Sequence, residues 1–294
     1  MKKNYFFSII IPTFNREFKL ERAIQSVLNQ TYQNWEMIIV DNYSKDNTKK
    51  MVENFKSNKI KFYQINNNGV IAKSRNLGVK KSSGKYLAFL DSDDYWNKNK
   101  LTVCRNEIIK FKNLKLIYHN MYLKKKDNQI FFQKTNYFRK VKKKVRNDLI
   151  NNGPAYPTSG VIVDKKLFIK INMFREMKKF IAWEDFDAWI RLSKYSNDFH
   201  CIQNTLGYLS TDIENTNNTK IQIKNLKCFK NEYIKGDKKI PNWCIYALMR
   251  CYQKNRQFKE SLRYLKKLNI SGYSLIQKFK LLIFYFLNIF KITI

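Results

Sequence analysis

Tyr86-Leu87-Ala88-Phe89-Leu90-Asp91-Ser92-Asp93-Asp94 joins a run of five apolar residues directly to three carboxylates. The run has the composition of a buried strand, which predicts that the carboxylates lie at its carboxyl end. Because three carboxylates within four positions repel one another, a fold keeps such a cluster when a cation neutralises it. Mg²⁺ and Mn²⁺ prefer oxygen ligands and combine one or two carboxylates with substrate phosphates. A helix-capping acidic turn is the alternative, and the spacing alone does not distinguish the two.

The chain on both sides of this segment alternates strand-like apolar runs with amphipathic helical stretches. The runs lie at 7–11, 35–40, 60–65, 86–90 and 114–118, and helical spacing occurs at 20–28, 51–55, 70–80 and 101–111. This alternation predicts an α/β fold with a Rossmann-like, mostly parallel central sheet and helices on both faces. Ligands bind such sheets at the carboxyl ends of strands. Thr13, Asp41 and Asp91 fall at three of these ends, so we expect them to share one crevice.

A second acidic segment is Trp183-Glu184-Asp185-Phe186-Asp187-Ala188-Trp189, in which three carboxylates open a predicted helix between two tryptophans. A carboxylate in a partly apolar setting can serve as a general base, and indole faces can stack on sugar rings. A helix amino terminus with an acidic first turn explains the same pattern. Taken without the first segment, this segment favours the structural explanation.

A third segment, Gly69 to Gly78, contains Lys73 and Arg75 near the start of a predicted helix. Its glycines do not match a dinucleotide or phosphate-loop fingerprint. The two basic side chains could hold a phosphate at the helix start. A solvated helix face is an equally good interpretation of this segment alone.

Together these segments resemble glycosyltransferase family 2, whose members have the GT-A fold. The matching stretches are Ser8–Arg16, Ala23–Tyr32, Trp35–Asn42, Arg75–Gly78 and Gly84–Asp94, the last of which contains the family's DXD motif. The resemblance is dense from about residue 8 to 101 and returns at Thr158-Ser159-Gly160 and at Glu184-Asp185. One departure is Asp41-Asn42-Tyr43-Ser44, where the family often has Asp-Asp-Gly-Ser.

The resemblance implies a role for each matching residue. The general base would be Asp185, with Glu184 orienting it or touching the acceptor. Mn²⁺ or Mg²⁺ would be held by Asp93 and Asp91. The nucleotide-sugar-binding residues would be Pro12, Thr13, Asn15, Asp41, Arg75, Asp91, Ser92 and Asp93.

The implied function is an inverting transfer of a hexosyl or N-acetylhexosaminyl group from a UDP-sugar. The acceptor would be a hydroxyl of a lipid-linked glycan or of a bacterial surface glycan such as lipo-oligosaccharide or capsule. The alternative is a non-catalytic domain that binds glycan or nucleotide, but the presence of both acidic segments argues against it. UDP-sugar consumption in the presence of Mn²⁺ distinguishes the two.

The predicted organisation is a glycosyltransferase domain at 1–215 and a helical carboxyl-terminal region at 216–294. Within the first, residues 1–118 would bind the nucleotide-sugar, and residues 119–215 would bind the acceptor and carry the base. The basic stretch from Lys124 to Lys144 has little periodicity and is predicted as a loop.

Lys and Arg total 57 against 23 Asp and Glu, which is a formal net charge of +34. Such a surface attracts phosphate, acidic glycan or anionic lipid, although a bias toward Lys, Asn and Ile codons explains part of it. A basic helix with interleaved base-stacking aromatics does not stand out, so nucleic acid is not an expected partner.

Five cysteines without a CxxC pair favour a reducing compartment. Pro12 interrupts the first apolar run, which predicts a strand and not a signal peptide. The expected location is therefore cytoplasmic. The apolar stretch 281–290, with lysines around it, is shorter than the roughly 20 residues that span a bilayer. It is predicted either to lie on the inner face of an anionic membrane or to form a core helix.

Overall fold

The computed structural model describes residues 7–124, 133–134, 138–210, 218–236, 239–271 and 273–292. The chain divides into two compact units, the first of residues 1–146 with 154–212 and the second of residues 147–153 with 213–294. Most of the predicted basic loop between Lys124 and Lys144 lies outside the described residues.

The described residues of the first unit form nine strands in one sheet. They are β1 (Phe7–Thr13), β2 (Trp35–Asp41), β3 (Ile60–Gln64), β4 (Tyr86–Phe89), β5 (Tyr95–Trp96), β6 (Leu116–Lys124), β7 (Gln133–Lys134), β8 (Val161–Asp164) and β9 (Phe199–Ser210). Their order in the sheet is β3-β2-β1-β4-β8-β6-β9-β5, and β7 pairs with β6.

Helices connect these strands and form the carboxyl-terminal region. The first seven are α1 (Glu17–Leu28), α2 (Thr48–Glu53), α3 (Ile71–Lys81), α4 (Lys100–Lys110), α5 (Val145–Asn152), α6 (Lys165–Lys170) and α7 (Glu184–Leu192). The second unit contains α8 (Thr219–Tyr233), α9 (Asn242–Lys254), α10 (Phe258–Leu265) and α11 (Leu275–Ile289). The predicted α/β class, with a helical carboxyl-terminal region, is confirmed.

The first half of the sheet is parallel, as the alternation of strands and helices predicts. β1 pairs in parallel with both β2 and β4, and β2 pairs in parallel with β3. All residues of β1, β2 and β4 are buried, because helices cover both faces of a parallel sheet. Since parallel neighbours end at the same edge, Thr13, Asp41 and the residues after Phe89 lie side by side.

The second half of the sheet has mixed direction. β8 runs antiparallel to β4 and β6, whereas β9 runs parallel to β6. Strand β8 begins at Val161, directly after a 3-10 turn at Thr158–Gly160. This turn presents two hydroxyl side chains, Thr158 and Ser159, next to the end of β4.

Helix packing against the parallel strands follows the apolar spacing. The buried face of α1 consists of Leu20, Ala23, Ile24 and Val27. On α3, a Cβ added at Gly78 would lie 2.5 Å from the Ile10 side chain. Glycine at this position therefore allows the helix to pack closer to β1 than a residue with a side chain would. The close approach positions Arg75, one turn earlier on the same helix.

A lysine is buried in the core of the first unit. Lys100, the first residue of α4, is 0% exposed, and its Nζ lies 3.2 Å from the centroid of the Trp96 ring. Among the described residues, Nζ has no hydrogen-bond partner. Burial lowers the pKa of Lys100 to about 7, although the nearby Cys104 thiol raises it slightly. Burial and then Lys100 lower the pKa of His119 to about 3, so His119 is neutral at physiological pH.

We expect Lys100→Met to raise the free energy of unfolding, and to do so most at low pH. The folded protein loses this proton as pH rises through about 7, whereas the unfolded chain keeps it up to about 10.4. Wild-type stability should therefore increase with pH across that window, by up to about 1.4 kcal/mol per unit. The gain from Lys100→Met should be about 2 to 3 kcal/mol larger near pH 6 than near pH 9 in denaturant unfolding.

The control for this substitution is Lys98→Met, which replaces an exposed lysine two positions earlier. It should change the unfolding free energy by less than about 0.5 kcal/mol at both pH values. If Lys100→Met raised the free energy of unfolding equally at the two pH values, the buried amine would not lose its proton near pH 7.

Candidate active site at the carboxyl edge of the sheet

The ends of β1 and β2 form one wall of the site. Thr13 and Asp41 are paired in register, and both are buried. The Asp41 carboxylate accepts hydrogen bonds from the Ser44 backbone at 3.0 Å, from the Ser44 hydroxyl and from Gln64 Nε2 at 3.0 Å. Three donors therefore fix the orientation of this carboxylate at the strand end.

The loops that follow these two strands hold each other in place. The Asn15 backbone N–H donates to the Ser44 hydroxyl at 2.8 Å, and the Asn15 amide oxygen accepts from the Lys45 backbone at 2.8 Å. Pro12 belongs to β1 itself. Asn15, predicted to bind nucleotide, thus has a hydrogen-bonded role within the loops.

Tyr43 stands where the related family often has glycine. Its backbone has φ +54°, the left-handed conformation that glycine adopts without steric cost. The side chain is exposed, so the loop keeps this turn with tyrosine at a strain of roughly 1 to 2 kcal/mol. The left-handed conformation at this position is therefore compatible with tyrosine.

Arg75 joins the two acidic segments. This side chain is only 5% exposed, and its two terminal nitrogens donate to Asp91 Oδ1 and to Glu184 Oε1, each at 2.6 Å. Asp91 follows β4, whereas Glu184 opens α7, so the ion pairs connect the end of the sheet to the start of a distant helix. The two segments that the sequence predicts to cooperate lie next to each other.

The 3-10 turn before β8 makes a second connection between these segments. The Ser159 hydroxyl donates to Asp94 Oδ2 at 2.6 Å, and the Asp91 backbone N–H donates to Ser159 Oγ at 3.1 Å. The neighbouring Thr158 hydroxyl donates to Asp185 Oδ2. One turn therefore contacts Asp91, Asp94 and the predicted base.

The carboxylates of the first acidic segment are not equivalent. Asp94 is buried and also accepts from the Ser210 backbone at 2.9 Å. Burial, and then the charges of Asp93 and Asp91, raise the pKa of Asp94 well above its usual range. Asp91 and Asp93 are partly exposed, at 31% and 18%, and pair with Arg75 and Arg16. Ser92 between them is buried.

Asp91 and Asp93 form a donor set that fits a hard divalent ion bound together with a diphosphate. Each uses one carboxylate oxygen for an arginine, and the remaining Asp91 Oδ2 and Asp93 Oδ1 have no hydrogen bond to a described residue. Within the described part of the chain, no group of three His, Cys, Asp or Glu could hold a metal ion. Because Mg²⁺ takes one or two carboxylates where phosphates complete its shell, two aspartates suffice.

The three carboxylates at the start of α7 also have different environments. Glu184 is buried; burial raises its pKa, Arg75 opposes the rise and Asp185 adds to it. Asp187 is buried and bonds Arg191 Nε at 2.7 Å, which anchors the helix. Asp185 is half-buried and accepts from Thr158 and from the Phe186 backbone at 2.7 Å.

Three contributions to the site were not assigned from the sequence. Arg16 pairs with Asp93, and Thr158 binds Asp185. The residues next to Arg16 and Thr158 in the sequence do not predict these partners. The Tyr156 hydroxyl is buried without a hydrogen bond to a described residue, and its ring stacks on Tyr118 with centroids 4.0 Å apart. The sequence feature that points to this region is the family resemblance at Thr158-Ser159-Gly160.

Comparison with known proteins agrees with this geometry. Residues 8–172 match the family model described as glycosyl transferase family 2. The UDP-Glc:alpha-D-GlcNAc-diphosphoundecaprenol beta-1,3-glucosyltransferase WfgD of Escherichia coli is 35% identical over 195 residues, which cover 66% of this chain and 72% of WfgD. For most of the other curated relatives, the chain spans less than half of their length.

Solved structures share the fold at low sequence identity. TarS of S. aureus, residues 1–349 in complex with UDP-GlcNAc, superposes with a TM-score of 0.63 at 19% identity, covering 90% of this chain and 82% of that one. The mannosyltransferase PcManGT of Pyrobaculum calidifontis, in complex with GDP-Man and Mn²⁺, gives 0.59 at 13% identity, with 96% and 79% covered. With its sheet-edge acidic site, its match over residues 8–172 and its identity to WfgD, the chain belongs to glycosyl transferase family 2.

Proposed function

We propose that this glycosyltransferase moves a sugar from a UDP-sugar to a hydroxyl of a lipid-linked glycan, by a single displacement that inverts the anomeric centre. The observation that carries the proposal is the Arg75 bridge, with 2.6 Å contacts to both Asp91 and Glu184. This bridge sets the DXD aspartates beside the carboxylates of α7. A donor held by the first group would thus present its anomeric carbon near the second.

The nucleoside would bind at the ends of β1 and β2. Asp41 presents an oriented carboxylate, which would accept the N3–H of uracil, and the Thr13 hydroxyl beside it has no hydrogen-bond partner among the described residues. A site built to accept this hydrogen bond rejects bases that cannot donate there. WfgD acts with UDP-Glc, and TarS was solved with UDP-GlcNAc, which supports a uridine donor.

Asp91 and Asp93 would hold the divalent ion, which when bound neutralises charge on the diphosphate. PcManGT, which has the same fold, was solved with Mn²⁺. Arg16 is partly exposed beside Asp93 and can add a charge-assisted hydrogen bond to the leaving diphosphate. Arg75 donates from both terminal nitrogens to carboxylates, so its proposed role is to position the acidic groups beside the bound donor.

Asp185 is the proposed general base. As the acceptor oxygen bonds to the anomeric carbon, its proton passes to the Asp185 carboxylate, and the bond from that carbon to the diphosphate oxygen breaks to release UDP. The Thr158 hydroxyl and the Phe186 N–H hold this carboxylate in one orientation. Attack opposite to the leaving group inverts the configuration, so an α-linked donor yields a β-linked product.

The proposed acceptor is a sugar linked through diphosphate to undecaprenol. WfgD, with 72% of its length covered by this chain, acts on alpha-D-GlcNAc-diphosphoundecaprenol. A polyprenyl diphosphate carries negative charge, which suits a chain with a net charge of +34.

The test measures UDP release from a panel of UDP-sugars with Mn²⁺, with and without a polyprenyl-diphosphate-linked GlcNAc. We expect release that depends on the acceptor for at least one donor, and a β-linkage in the product by NMR. If none of the UDP-sugars releases UDP, the proposal is contradicted. An α-linked product would contradict inversion.

We expect Asp93→Asn to lower the Mn²⁺-dependent affinity for UDP by tenfold or more. The amide removes one anionic oxygen from a two-aspartate donor set, which leaves few ligands for the ion. Titration calorimetry with UDP, with Mn²⁺ and with EDTA, measures the difference. Glu53→Gln, at an exposed surface ion pair, is the control and should bind as wild type. Equal Mn²⁺ dependence in Asp93→Asn and wild type would exclude Asp93 as a ligand.

A further inference from the structure

Helix α11 of the second unit presents its apolar side chains outward. It is a 15-residue helix whose start is capped by Ser274, with Gln277 completing a capping box. Its two buried side chains are Phe284 and the polar Asn288, and Asn288 Nδ2 donates to the Phe284 carbonyl at 2.7 Å. A surface helix of a globular protein normally turns its apolar stripe toward the core.

The exposed stripe is continuous along the helix. At about 100° per residue, seven large apolar residues fall on the half of the helix opposite to Phe284 and Asn288. These are Leu275, Ile276, Phe279, Leu282, Ile283, Phe286 and Ile289, with exposures that range from 84% at Leu275 to 44% at Ile283. Because contiguous exposed apolar patches mark interaction sites, the stripe indicates an interaction surface.

Basic residues surround this stripe and acidic residues are missing from the segment. Lys278 and Lys280 lie on its two flanks, and Lys291 follows the helix. From Ser261 to the last residue of the sequence there is no Asp or Glu. An apolar face with lysines at its margins is the pattern of helices that lie in the interfacial region of membranes.

The length of the helix sets its orientation in a bilayer. Fifteen residues extend about 22 Å, which is less than the roughly 30 Å of hydrocarbon in a bilayer. Across the described residues, none of the helices combines the length and apolar character required to cross a membrane. In a bilayer, the helix would therefore bury its stripe by lying parallel to the surface.

We propose that α11 is a membrane-docking helix, which inserts its outward stripe into the surface of an anionic lipid bilayer with Lys278 and Lys280 at the headgroups. A second copy of this chain is the competing occupant. A two-fold contact between two α11 helices would bring lysines together without any carboxylate of the segment to neutralise them. Anionic lipid satisfies the apolar stripe and the lysines at once.

The first test is co-sedimentation of the full chain with vesicles of phosphatidylglycerol and phosphatidylcholine. We expect wild type to bind, and Leu282→Gln/Phe286→Gln to lose tenfold or more of its partition coefficient, because two large side chains leave the stripe. The matched control is Tyr246→Gln, which replaces an exposed aromatic residue of α9 in the same unit. It should bind as wild type, and circular dichroism should show all three proteins folded.

The second test isolates charge. Lys278→Gln/Lys280→Gln should weaken binding to phosphatidylglycerol vesicles by about tenfold and leave the weaker binding to pure phosphatidylcholine unchanged. Lys254→Gln, at an exposed position of α9, is the control. Neither measurement uses donor or acceptor, so vesicle binding and sugar transfer can fail independently.

Two outcomes would overturn the proposal. One is equal vesicle binding by wild type and Leu282→Gln/Phe286→Gln, which would place the contact elsewhere. The other is a wild-type dimer in light scattering that becomes monomeric in that variant, without vesicle binding by either protein; this would assign the stripe to a second copy.

Discussion

Asp185→Asn is expected to lower kcat by a factor on the order of 10² or more, with UDP affinity close to that of wild type. The amide cannot take the acceptor proton, yet its oxygen can still accept the hydrogen bond from Thr158. The substitution therefore removes the proposed base and keeps the local geometry. Asp185 contacts Thr158 and the Phe186 backbone and is not among the residues proposed to bind the nucleoside, which is why turnover and donor binding are expected to separate.

The measurement is steady-state UDP release with saturating donor and acceptor, together with calorimetric UDP binding. Asp198→Asn, at an exposed acidic residue outside the site, is the control and should have wild-type kcat. A wild-type rate in Asp185→Asn would show that another group takes the proton. Parallel losses of turnover and UDP affinity would instead indicate a collapsed donor site.

Arg75→Met is expected to reduce the free energy of unfolding by about 3 to 5 kcal/mol. Arg75 is buried between two carboxylates, and its removal leaves Glu184 buried without a counter-charge. The surface pair of Lys49 and Glu53, with atoms 4.0 Å apart and both side chains largely exposed, is the natural comparison. Lys49→Met should cost less than about 1 kcal/mol.

Denaturant unfolding at neutral pH measures both substitutions. In Arg75→Met, adding Glu184→Gln should recover part of the lost stability, because the neutral amide no longer carries an unpaired buried charge. A loss below about 1 kcal/mol for Arg75→Met would mean that the bridge does not hold the acidic segments together. The double variant also shows whether the cost comes from charge or from packing.

The first half of the fold could be predicted because its signals are local. The apolar runs that end at Asp41 and Asp91 differ from the helical spacing of α1 and α3, so alternation alone predicts parallel strands with acidic ends on one edge. The family resemblance, confirmed by the match over residues 8–172, lies mostly in the same region. The proposed roles of Asp93 as metal ligand and Asp185 as base stay predictions, which the variants above test.

The partners and the burial of individual carboxylates could not be predicted from spacing. Asp93 and Asp94 are adjacent in the sequence, yet Asp93 is partly exposed beside Arg16 and Asp94 is buried against Ser159. Asp185 and Asp187 open the same helix, yet Asp187 bonds Arg191 within the fold. Which of two neighbouring acids is free for chemistry depends on partners from other elements.

By itself the sequence determined the class of fold, the family and the edge of the sheet at which the candidate site lies. These follow from periodicity and short motifs, which are properties of neighbouring residues. Only the tertiary structure decided that Arg75 meets Glu184 across 109 positions, that Lys100 is buried and that α11 turns its apolar stripe to the surface. The physical reason is that ion pairing and burial depend on which distant elements pack together. The spacing of apolar residues predicts which side of a helix is apolar, but not which element packs against that side.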